Sequence, residues 1–308
     1  MKILVTGGSG FIGSHLTERL LKEGHQITVL DSLLRGNKLS KDTFDHITFI
    51  KGDIRDLDLV IKASIGCDVI VHMAAVLGVD IVADTPIETM DVEVIGCRNV
   101  VTAAEQNNVK KVIYASTSGI YGHSVFEKAL SEEVLVDPKS SYAMAKRYNE
   151  IYLASHHQEK GLNTISLRFF NVYGVRQDTR MVVPLFFEQA LSGQPITVYG
   201  SGEQTRDFTF IDDTIEACVR CIALNGSRII NIANEEEYQI KDVALAIKEI
   251  TDSESEIHFI EAPKKRYDYE VGRRVGSSAK LHKLTNYKPS TKLYDGLKSI
   301  YESQYKNK

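Results

Sequence analysis

The chain of 308 residues lacks several features that define broad classes of protein. No apolar run approaches the roughly 20 residues that a membrane-spanning helix needs. Acidic and basic residues are interspersed and the net charge is only −4, so no basic surface for nucleic acid or for an anionic membrane is indicated. We also find no repeat and no low-complexity segment, and we expect no signal peptide, because Ile3–Val5 leads directly into a glycine turn.

Cysteine is scarce, with four residues in the whole chain. Most of them lie in apolar stretches, which is typical of reduced thiols in the cytoplasm. Cys218 and Cys221 form a CxxC pair, a spacing that metal and redox sites also use. The pair lies in DDTIEACVRCIAL, which has a helical pattern, and no second CxxC or histidine pair matches it. We therefore predict buried helix cysteines, no metal site and a cytoplasmic location.

The most informative stretch is at residues 2–20, KILVTGGSGFIGSHLTERL. An apolar strand over Lys2–Val5 is followed by Gly7, Gly10 and Gly13, and then by apolar residues at helical spacing. Free N–H groups at a helix N-terminus, with no Cβ in the way, hold a pyrophosphate. The stretch predicts a dinucleotide-binding turn; the alternative is an ordinary glycine turn between a strand and a helix.

The second predicted strand, Gln26–Leu30, ends in Asp31. Its offset from the glycines is close to the roughly 20 residues expected for the acid that binds a ribose hydroxyl. A carboxylate at this place would repel a 2′-phosphate. The sequence therefore predicts NAD rather than NADP as the cofactor.

Apolar strands and amphipathic helices alternate as far as about residue 170. The predicted strands after the first are Ile27–Leu30, Ile47–Ile50, Val69–His72, Val112–Ala115 and Thr164–Leu167. Near-continuous apolar strands between helices indicate an α/β fold with a doubly wound parallel (Rossmann) sheet. We assign residues 1–170 to an NAD-binding domain, with a return segment at about 208–233. Residues 171–308 mostly form a smaller, mixed α/β substrate lobe.

Ligands of such sheets lie beyond the carboxyl ends of the strands, so the residues that follow each strand are the candidates. An aspartate after the third strand can accept from an adenine amino group, and small residues after the fourth let the cofactor approach the backbone. His72 is predicted to be a packed structural residue rather than a base. The predicted NAD contacts are Gly7, Gly10, Phe11, Ile12, Gly13, Asp31, Ser32, Asp53, Ile54, Met73, Ala74, Ala75, Ser116, Tyr142, Lys146 and Phe169.

Tyr142 and Lys146 form the candidate acid–base pair. Ser140 or Ser141 can cap a helix just before them, and the i, i+4 spacing puts both side chains on one helix face. A nearby ammonium and a bound nicotinamide cation would lower the pKa of the phenol, which could then take a proton from a sugar hydroxyl. Thr117 would hydrogen-bond that hydroxyl. A YxxxK spacing alone also occurs on exposed helices by chance.

Together these motifs resemble the extended short-chain dehydrogenase/reductase family, and its nucleotide-sugar epimerases and dehydratases of the UDP-glucose 4-epimerase type most of all. The motifs are TGGSGFIGSH, HMAA, STSGIYG, YAMAK, FFNVYG and, at 198–213, VYGSGEQTRDFTFIDD. The resemblance implies a tightly held NAD⁺ that is reduced and re-oxidised in one turnover. It implies Thr117, Tyr142 and Lys146 as catalytic residues, and a homodimer formed through helices near 90–107 and 142–157. It further implies a UDP-linked nucleotide-sugar substrate, for which the predicted contacts are Thr117, Ser118, Asn171, Val182, Val183, Pro184, Arg206 and Arg274.

Several positions depart from the family pattern. Dehydratases usually have Asp-Glu after the catalytic threonine and decarboxylases have a Glu two residues after it, whereas this chain has Ser118 and Gly119. Both differences favour 4-epimerisation of a UDP-hexose such as UDP-glucose or UDP-galactose. Glu93 stands where the family often has Asn, and Ser277 where many relatives have Asp.

Other reactions remain open from the sequence. They are a dehydratase, a decarboxylase, a reductase, and a non-catalytic NAD-binding regulator, against which the intact Thr117/Tyr142/Lys146 set argues. A UDP-hexuronate 4-epimerase is a further alternative, because one of Arg176, Arg180, Arg273 and Arg274 could pair with a C6 carboxylate. Otherwise these arginines face solvent or pair with acids such as Asp178 and Glu270.

Overall fold

The computed structural model of the chain describes residues 1–76, 79–122, 129–263 and 271–306. Its strands are β1 (Lys2–Thr6), β2 (Gln26–Asp31), β3 (Thr48–Lys51), β4 (Val69–His72), β5 (Lys111–Thr117), β6 (Asn163–Phe169), β7 (Asn171–Tyr173), β8 (Ile196–Tyr199), β9 (Thr205–Arg206), β10 (Phe208–Phe210), β11 (Ser227–Ile232), β12 (Tyr238–Gln239), β13 (Ile257–Ile260) and β14 (Arg273–Arg274). Its helices are α1 (Phe11–Lys22), α2 (Lys41–Asp45), α3 (Leu57–Ala63), α4 (Val79–Asp84), α5 (Pro86–Gln106), α6 (Ser141–Lys160), α7 (Val182–Leu191), α8 (Ile211–Ile222), α9 (Ile240–Ile250), α10 (Ala279–Thr285) and α11 (Leu293–Ile300). Short 3₁₀ and π turns cover Ser118–Tyr121 and Tyr301–Tyr305.

The main sheet has seven strands in the order β3-β2-β1-β4-β5-β6-β11. Every pairing in it is parallel. The order reverses direction at β1, so this is the doubly wound sheet that the sequence predicts, and that prediction is confirmed. The predicted strands match closely, with β4 at the expected bounds and β3 shifted by one residue from Ile47–Ile50.

Helices cover both faces of this sheet. Along β1, Ile3 and Val5 face one hydrophobic core and Leu4 faces the other, as alternation along a strand requires. The first core includes residues of α1 and α8, and it continues into α7, α9 and α11 of the C-terminal half. The second core packs α3, α5 and α6 on the opposite face. With both faces covered, ligands can reach the sheet only at its edges and at the ends of its strands.

The C-terminal half builds three smaller sheets from short strands, β10-β7, β12-β9-β14 and β13-β8. It also returns to the main sheet, because β11 pairs with β6 along its whole length. Cys218 and Cys221 are buried inside α8 as free thiols, as predicted. No helix in the described ranges is both long and apolar enough to cross a bilayer.

Candidate active site

The glycine turn connects β1 to α1 at the centre of the sheet. Gly7 has a φ of +69°, and a Cβ there would lie 2.6 Å from the backbone nitrogen of Ala74. A Cβ on Gly13 would lie 2.1 Å from the carbonyl oxygen of Gly7. Gly10 precedes α1, and no side chain caps the first turn of this helix. The N–H groups of that turn are therefore left for an anion such as a pyrophosphate, with Phe11 and Ile12 in the turn itself.

Asp31 ends β2 beside this turn. Its carboxylate accepts from the backbone N–H of Ser9, at 2.9 Å, and from that of Leu33, at 2.8 Å. It is only half-buried, so lone pairs remain for a further donor. The glycine turn and the predicted ribose contact are thus held together by one side chain, and Ser32 follows directly.

The next two strand ends also lie at this edge. The carboxylate of Asp53 is held by the guanidinium of Arg55, with a shortest N–O distance of 2.6 Å, and these hydrogen bonds lower its pKa. The neighbouring Ile54 is buried and packs against Gly96 of α5. After β4, Met73 and Ala74 donate their backbone N–H groups to the carbonyl and hydroxyl oxygens of Thr6, and Ala75 follows.

His72 at the end of β4 is buried, and its Nδ1 lies 2.7 Å from the hydroxyl oxygen of Thr6. Burial and the nearby Lys146 ammonium lower the pKa of His72 to about 3. The ring is therefore neutral at physiological pH. It is packed as the sequence predicts, rather than charged.

The structure brings Tyr142 and Lys146 together at the start of α6. The hydroxyl of Ser140 accepts from the N–H of Ala143 at 3.1 Å, which is the predicted helix cap. The Lys146 ammonium lies 5.4 Å from the centre of the Tyr142 ring and donates to the carbonyl oxygen of Ala115 at 2.8 Å. The predicted common helix face is thus present in the structure.

Thr117, at the end of β5, lies at the same edge as this pair. Its hydroxyl oxygen accepts from the N–H of Gly119 at 3.0 Å. Ser118 is buried, and Ser116 donates its hydroxyl to the Glu150 carboxylate at 2.6 Å. Of the two residues that follow Thr117, Ser118 is buried and Gly119 has no side chain. Neither can supply a charge.

Burial raises the pKa of Tyr142 well above its ordinary value, and the carboxylate of Glu93 raises it further. The phenol of the protein alone is therefore protonated at neutral pH. A phenolate there needs positive charge close by, from Lys146 and from a bound nicotinamide cation.

Glu93 is a contact that the sequence reasoning did not identify. This carboxylate on α5 is fully buried, and its Oε2 lies 2.9 Å from the ammonium of Lys146. The only signal in the sequence was an acid at a position where the family often has Asn. The spacing gave no hint of the partner, since the two residues lie on different helices.

Apart from Thr117 and Ser118, the predicted substrate contacts lie in the C-terminal half. Asn171 is exposed at the start of β7, and Val182, Val183 and Pro184 form the first turn of α7, with Val183 in the core. Phe169 ends β6. Arg206 on β9 donates to the carbonyl oxygens of Thr205 and Val271, and Arg274 on β14 is its register partner.

Arg274 differs from the other arginines considered for the sugar pocket. Arg176 pairs with Glu18 at 2.9 Å, Arg180 with Asp178 at 2.5 Å and Arg273 with Glu237 at 2.9 Å. Glu270, the other predicted partner, lies outside the described residues. Arg274 donates from Nη2 to the carbonyl oxygen of Gly122, and its buried Nε has no partner among the residues that the structure describes. Burial and the neighbouring Arg206 lower its pKa to about 10.

Ser277, the other departure from the family pattern, is committed to a local network. Its hydroxyl donates to a carboxylate oxygen of Glu235 at 3.0 Å, and the same oxygen accepts from the N–H of Ser278. This serine therefore anchors the start of α10 to the segment after β11.

The residues at these strand ends fit a bound dinucleotide, because the glycine turn leaves room where side chains would collide and leaves the N-terminus of α1 uncapped. A family model described as the NAD dependent epimerase/dehydratase family matches residues 3–233. Among curated proteins, a UDP-N-acetyl-alpha-D-glucosaminuronate decarboxylase of Bacillus cytotoxicus is 35% identical over 315 residues, covering 98% of this chain and 97% of its own.

Two solved structures extend the comparison. The UDP-glucose 4-epimerase of Thermotoga maritima, solved with UDP-glucose, has a TM-score of 0.93 at 30% identity and covers 100% of this chain and 99% of its own. The UDP-glucose 4-epimerase of Thermus thermophilus, solved with NAD, has a TM-score of 0.89 at 32% identity, with 98% of each chain covered. This chain therefore belongs to the NAD-dependent epimerase/dehydratase family of enzymes and uses NAD as its cofactor.

Proposed function

We propose that this enzyme is an NAD-dependent nucleotide-sugar 4-epimerase that acts on a UDP-hexose such as UDP-glucose or UDP-galactose. The observation that carries the proposal is the segment after Thr117. Elimination of water or loss of a carboxyl group calls for acidic side chains that Ser118 and Gly119 do not supply. Epimerisation needs only a hydride carrier and one acid–base group, and Tyr142 with Lys146 supplies the second.

Each part of the reaction has a residue suited to it. Tyr142, as phenolate, takes the proton of the sugar C4 hydroxyl, while Lys146 stabilises the negative charge and Thr117 orients the hydroxyl. NAD, when bound, supplies the hydride acceptor that turns C4 into a ketone and the hydride donor that reverses this step. After the 4-keto sugar has rotated, the hydride would return to the opposite face of C4 and Tyr142 would return the proton to the C4 oxygen, so the reaction has no net change in redox state.

The diphosphate of the substrate has two suitable partners. Arg206 and Arg274 are adjacent in register on β9 and β14. A guanidinium fork matches phosphate oxygens, and two such groups balance the charge of a diphosphate. Asn171 and the Val182–Pro184 turn are proposed to contact the rest of the nucleotide. This arrangement leaves no cation for the sugar itself among these residues, which favours a neutral hexose.

A second candidate is supported by Arg274. Its buried Nε has no partner in the described part of the chain, and the Bacillus cytotoxicus relative is named for a substrate that carries a carboxyl group. If Arg274 pairs with a C6 carboxylate, the substrate is a UDP-hexuronate. The contact is worth about 10–100-fold in selectivity.

The two candidates are separated by comparing kcat/KM for UDP-glucose and UDP-glucuronate. Preference of the wild type for UDP-glucose supports the neutral hexose. Preference for UDP-glucuronate that is lost in Arg274→Ala, but kept in Arg180→Ala, supports the hexuronate instead. Arg180 is a matched control, because it is another arginine considered for the sugar pocket but its guanidinium pairs with Asp178.

The reaction type is tested with a panel of nucleotide sugars followed by NMR. A 4-epimerase inverts C4 and shows no net formation of NADH in the absorbance of the mixture. Release of CO₂ would show a decarboxylase, and a 4-keto-6-deoxy product a dehydratase. Either result would overturn the proposal. Bound NAD with no turnover of any sugar would favour a regulator.

We also propose a homodimer formed through α5 and α6. These helices pack against each other and expose large apolar side chains, namely Met90, Ile95, Met144, Tyr148 and Ile151. On α6 the spacing of 144, 148 and 151 forms one stripe. An exposed stripe of this kind is typical of an interface. Light scattering would show a dimer for the wild type and a monomer for Tyr148→Glu with Ile151→Glu.

The proposed roles of these residues divide the chain into two functional regions. We propose that residues 1–170 and the segment at about 208–233 bind NAD, while most of 171–308 binds the nucleotide sugar. We also propose that the protein is located in the cytoplasm, because its four cysteines are buried free thiols that take part in no disulfide.

A further inference from the structure

Lys146 links Tyr142, the candidate acid–base group, to the buried carboxylate of Glu93. Lys146 and Glu93 are both inaccessible to solvent, with exposed fractions of 1% and 0%. Glu93 is held on both sides, because its Oε1 accepts from the N–H of Val76 at 3.1 Å and its backbone oxygen accepts from the Asn149 amide at 3.0 Å. Its Oε2 is left to face the Lys146 ammonium at 2.9 Å. The carboxylate therefore cannot turn away from the ammonium without losing the hydrogen bond from the Val76 N–H.

We propose that Glu93 is the fixed counter-ion of Lys146 and that its negative charge sets the pH range in which Tyr142 ionises. It is a positioning residue, since it acts on Tyr142 through Lys146 and through the field at the phenol. The Asn that is common at this position in the family has a neutral amide in place of the carboxylate and carries no charge. The inference rests on the proposed role of Tyr142 as the acid–base group.

The other titratable groups around the pair are neutral near physiological pH. On β4, burial and Lys146 lower the pKa of His72 to about 3. On α5, burial raises the pKa of Cys97 to about 12, and on β5 burial and Glu93 raise that of Tyr114 well above its usual value. Burial raises the pKa of Glu93, and the Lys146 ammonium at 2.9 Å opposes this by favouring the carboxylate. Among the described side chains packed around Tyr142, Lys146 and Glu93 are thus the pair whose charges can act on the phenol. The charge state of Glu93 decides whether the phenol faces a bare cation or an ion pair.

The direction of the effect follows from electrostatics. An uncompensated ammonium would lower the pKa of the phenol, whereas a carboxylate beside the ammonium cancels part of its field. The interior has a low effective dielectric, so little of this interaction is screened by salt. Glu93 therefore holds the phenol in its protonated form to a higher pH than an uncharged residue would.

A purely structural role for Glu93 makes a different prediction, and two variants separate the roles. Glu93→Gln keeps the length and the acceptor for the Val76 N–H but removes the charge. Glu93→Asp keeps the charge and shortens the side chain. If only packing matters, Asp is the more harmful change and neither variant moves the ionisation of Tyr142.

A matched control is available on α6. Glu150 is also buried, and it pairs with Arg168 at 2.8 Å. Glu150→Gln removes a second buried carboxylate from the same region, and we expect it to lower stability without shifting Tyr142. The variant thus measures what loss of a buried ion pair does by itself.

The experiment uses the full chain with its bound NAD. Ionisation of Tyr142 is followed by the ultraviolet absorbance of tyrosinate, as the difference between each variant and the same variant with Tyr142→Phe. The pH profile of kcat/KM with the active UDP-sugar is measured in parallel. We expect Glu93→Gln to lower the pKa of Tyr142 by about one to two units, with the acidic limb of the profile following it, and Glu93→Asp to stay at the wild-type position.

An unchanged or raised Tyr142 pKa in Glu93→Gln would overturn the inference, as would an equal shift in Glu150→Gln. If Glu93→Gln does not fold, Glu93→Asn, which installs the residue common in the family, answers the same question. A shift of the tyrosinate signal without any shift of the rate profile would uphold the counter-ion role. The same result would show that Tyr142 is not the acid–base group of the reaction, and so would overturn the proposed mechanism but not the counter-ion role.

Discussion

Glu93 on α5 and Glu150 on α6 each neutralise a buried cation, but the two pairs have different geometries. Glu150 receives the Nε and Nη2 of Arg168 at 2.9 and 2.8 Å, together with the Ser116 hydroxyl and Arg147. A planar fork on a planar carboxylate satisfies both groups. Glu93 instead meets the single ammonium of Lys146, which is also shared with the Ala115 carbonyl.

The difference separates a structural ion pair from one that we propose to be functional, within one region of the fold. The Glu150–Arg168 pair has its lone pairs and donors occupied, so its charges are fixed. The Lys146 ammonium is a point charge close to the Tyr142 ring, so its field extends to the group that changes protonation state in the proposed mechanism. We expect loss of the first pair to act on stability, and changes at the second to act on rate and pH dependence.

The largest effect is expected at Tyr142, which lies beside the Lys146–Glu93 pair. Tyr142→Phe should bind NAD⁺ and the nucleotide sugar but lose about 10²–10⁴ in kcat, because a positioned acid–base group contributes on this scale. Steady-state kinetics with calorimetry of both ligands tests this. Near-wild-type turnover would mean that the proton is transferred by a different residue.

The structural pair should give the larger loss of stability. Arg168→Met leaves the buried Glu150 carboxylate without its main partner, which costs about 3–5 kcal/mol in the free energy of unfolding. Arg147→Ala is the matched control, since Arg147 contacts the same carboxylate but its side chain is 31% exposed, and we expect a loss below about 1 kcal/mol. Equal losses in chemical denaturation would contradict the distinction between the two pairs.

Asp31 is an intermediate case, a half-buried carboxylate held by two backbone N–H groups. If its free lone pairs read the ribose diol, NAD⁺ should bind more tightly than NADP⁺ by about 2–4 kcal/mol. Asp31→Asn should reduce this preference because the charge that repels a 2′-phosphate is gone. Equal affinities of the wild type for both cofactors in calorimetry would remove Asp31 from the cofactor site.

The smallest effect is expected at the more exposed pair of Arg180 and Asp178. The arginine holds the pKa of the Asp178 carboxyl at about 2, below its unfolded value. A lowered carboxyl pKa stabilises the folded state above the unfolded pKa of about 4, and this contribution is lost as the pH falls toward 2. Asp178→Asn should cost less than about 1 kcal/mol at neutral pH. The loss should shrink in thermal melts below pH 4, and a loss that persists there would point to a contact other than the ion pair.

The sequence predicted the parts of the structure that depend on local pattern. The apolar strands, the glycine turn, the Ser140 cap and the common face of Tyr142 and Lys146 all follow from residues close together in the chain. The short strands β7, β9, β10, β12 and β14 did not, because strands of two or three residues exist only through their tertiary partners.

Contacts between residues that are far apart in the chain could not be predicted from the sequence either. The pairing of Glu93 with Lys146 joins two helices, and nothing in the spacing specifies which buried cation a buried acid will meet. The arginines show the same limit. Arg180 finds its acid two residues away, which the sequence suggested, whereas Arg273 pairs with Glu237 and Arg176 with Glu18.

The return of β11 to the main sheet has a consequence for the autonomy of the two halves. A chain cut after residue 170 would leave β6 as an open edge, with the register partners of Thr164–Phe169 removed. It would also uncover the face of α1 that α8 covers. Unpaired edges are templates for aggregation, so the N-terminal half is expected to be insoluble when expressed alone. The two halves of the chain are therefore expected to fold as one cooperative unit, so that neither could be exchanged between relatives by a single crossover in the gene.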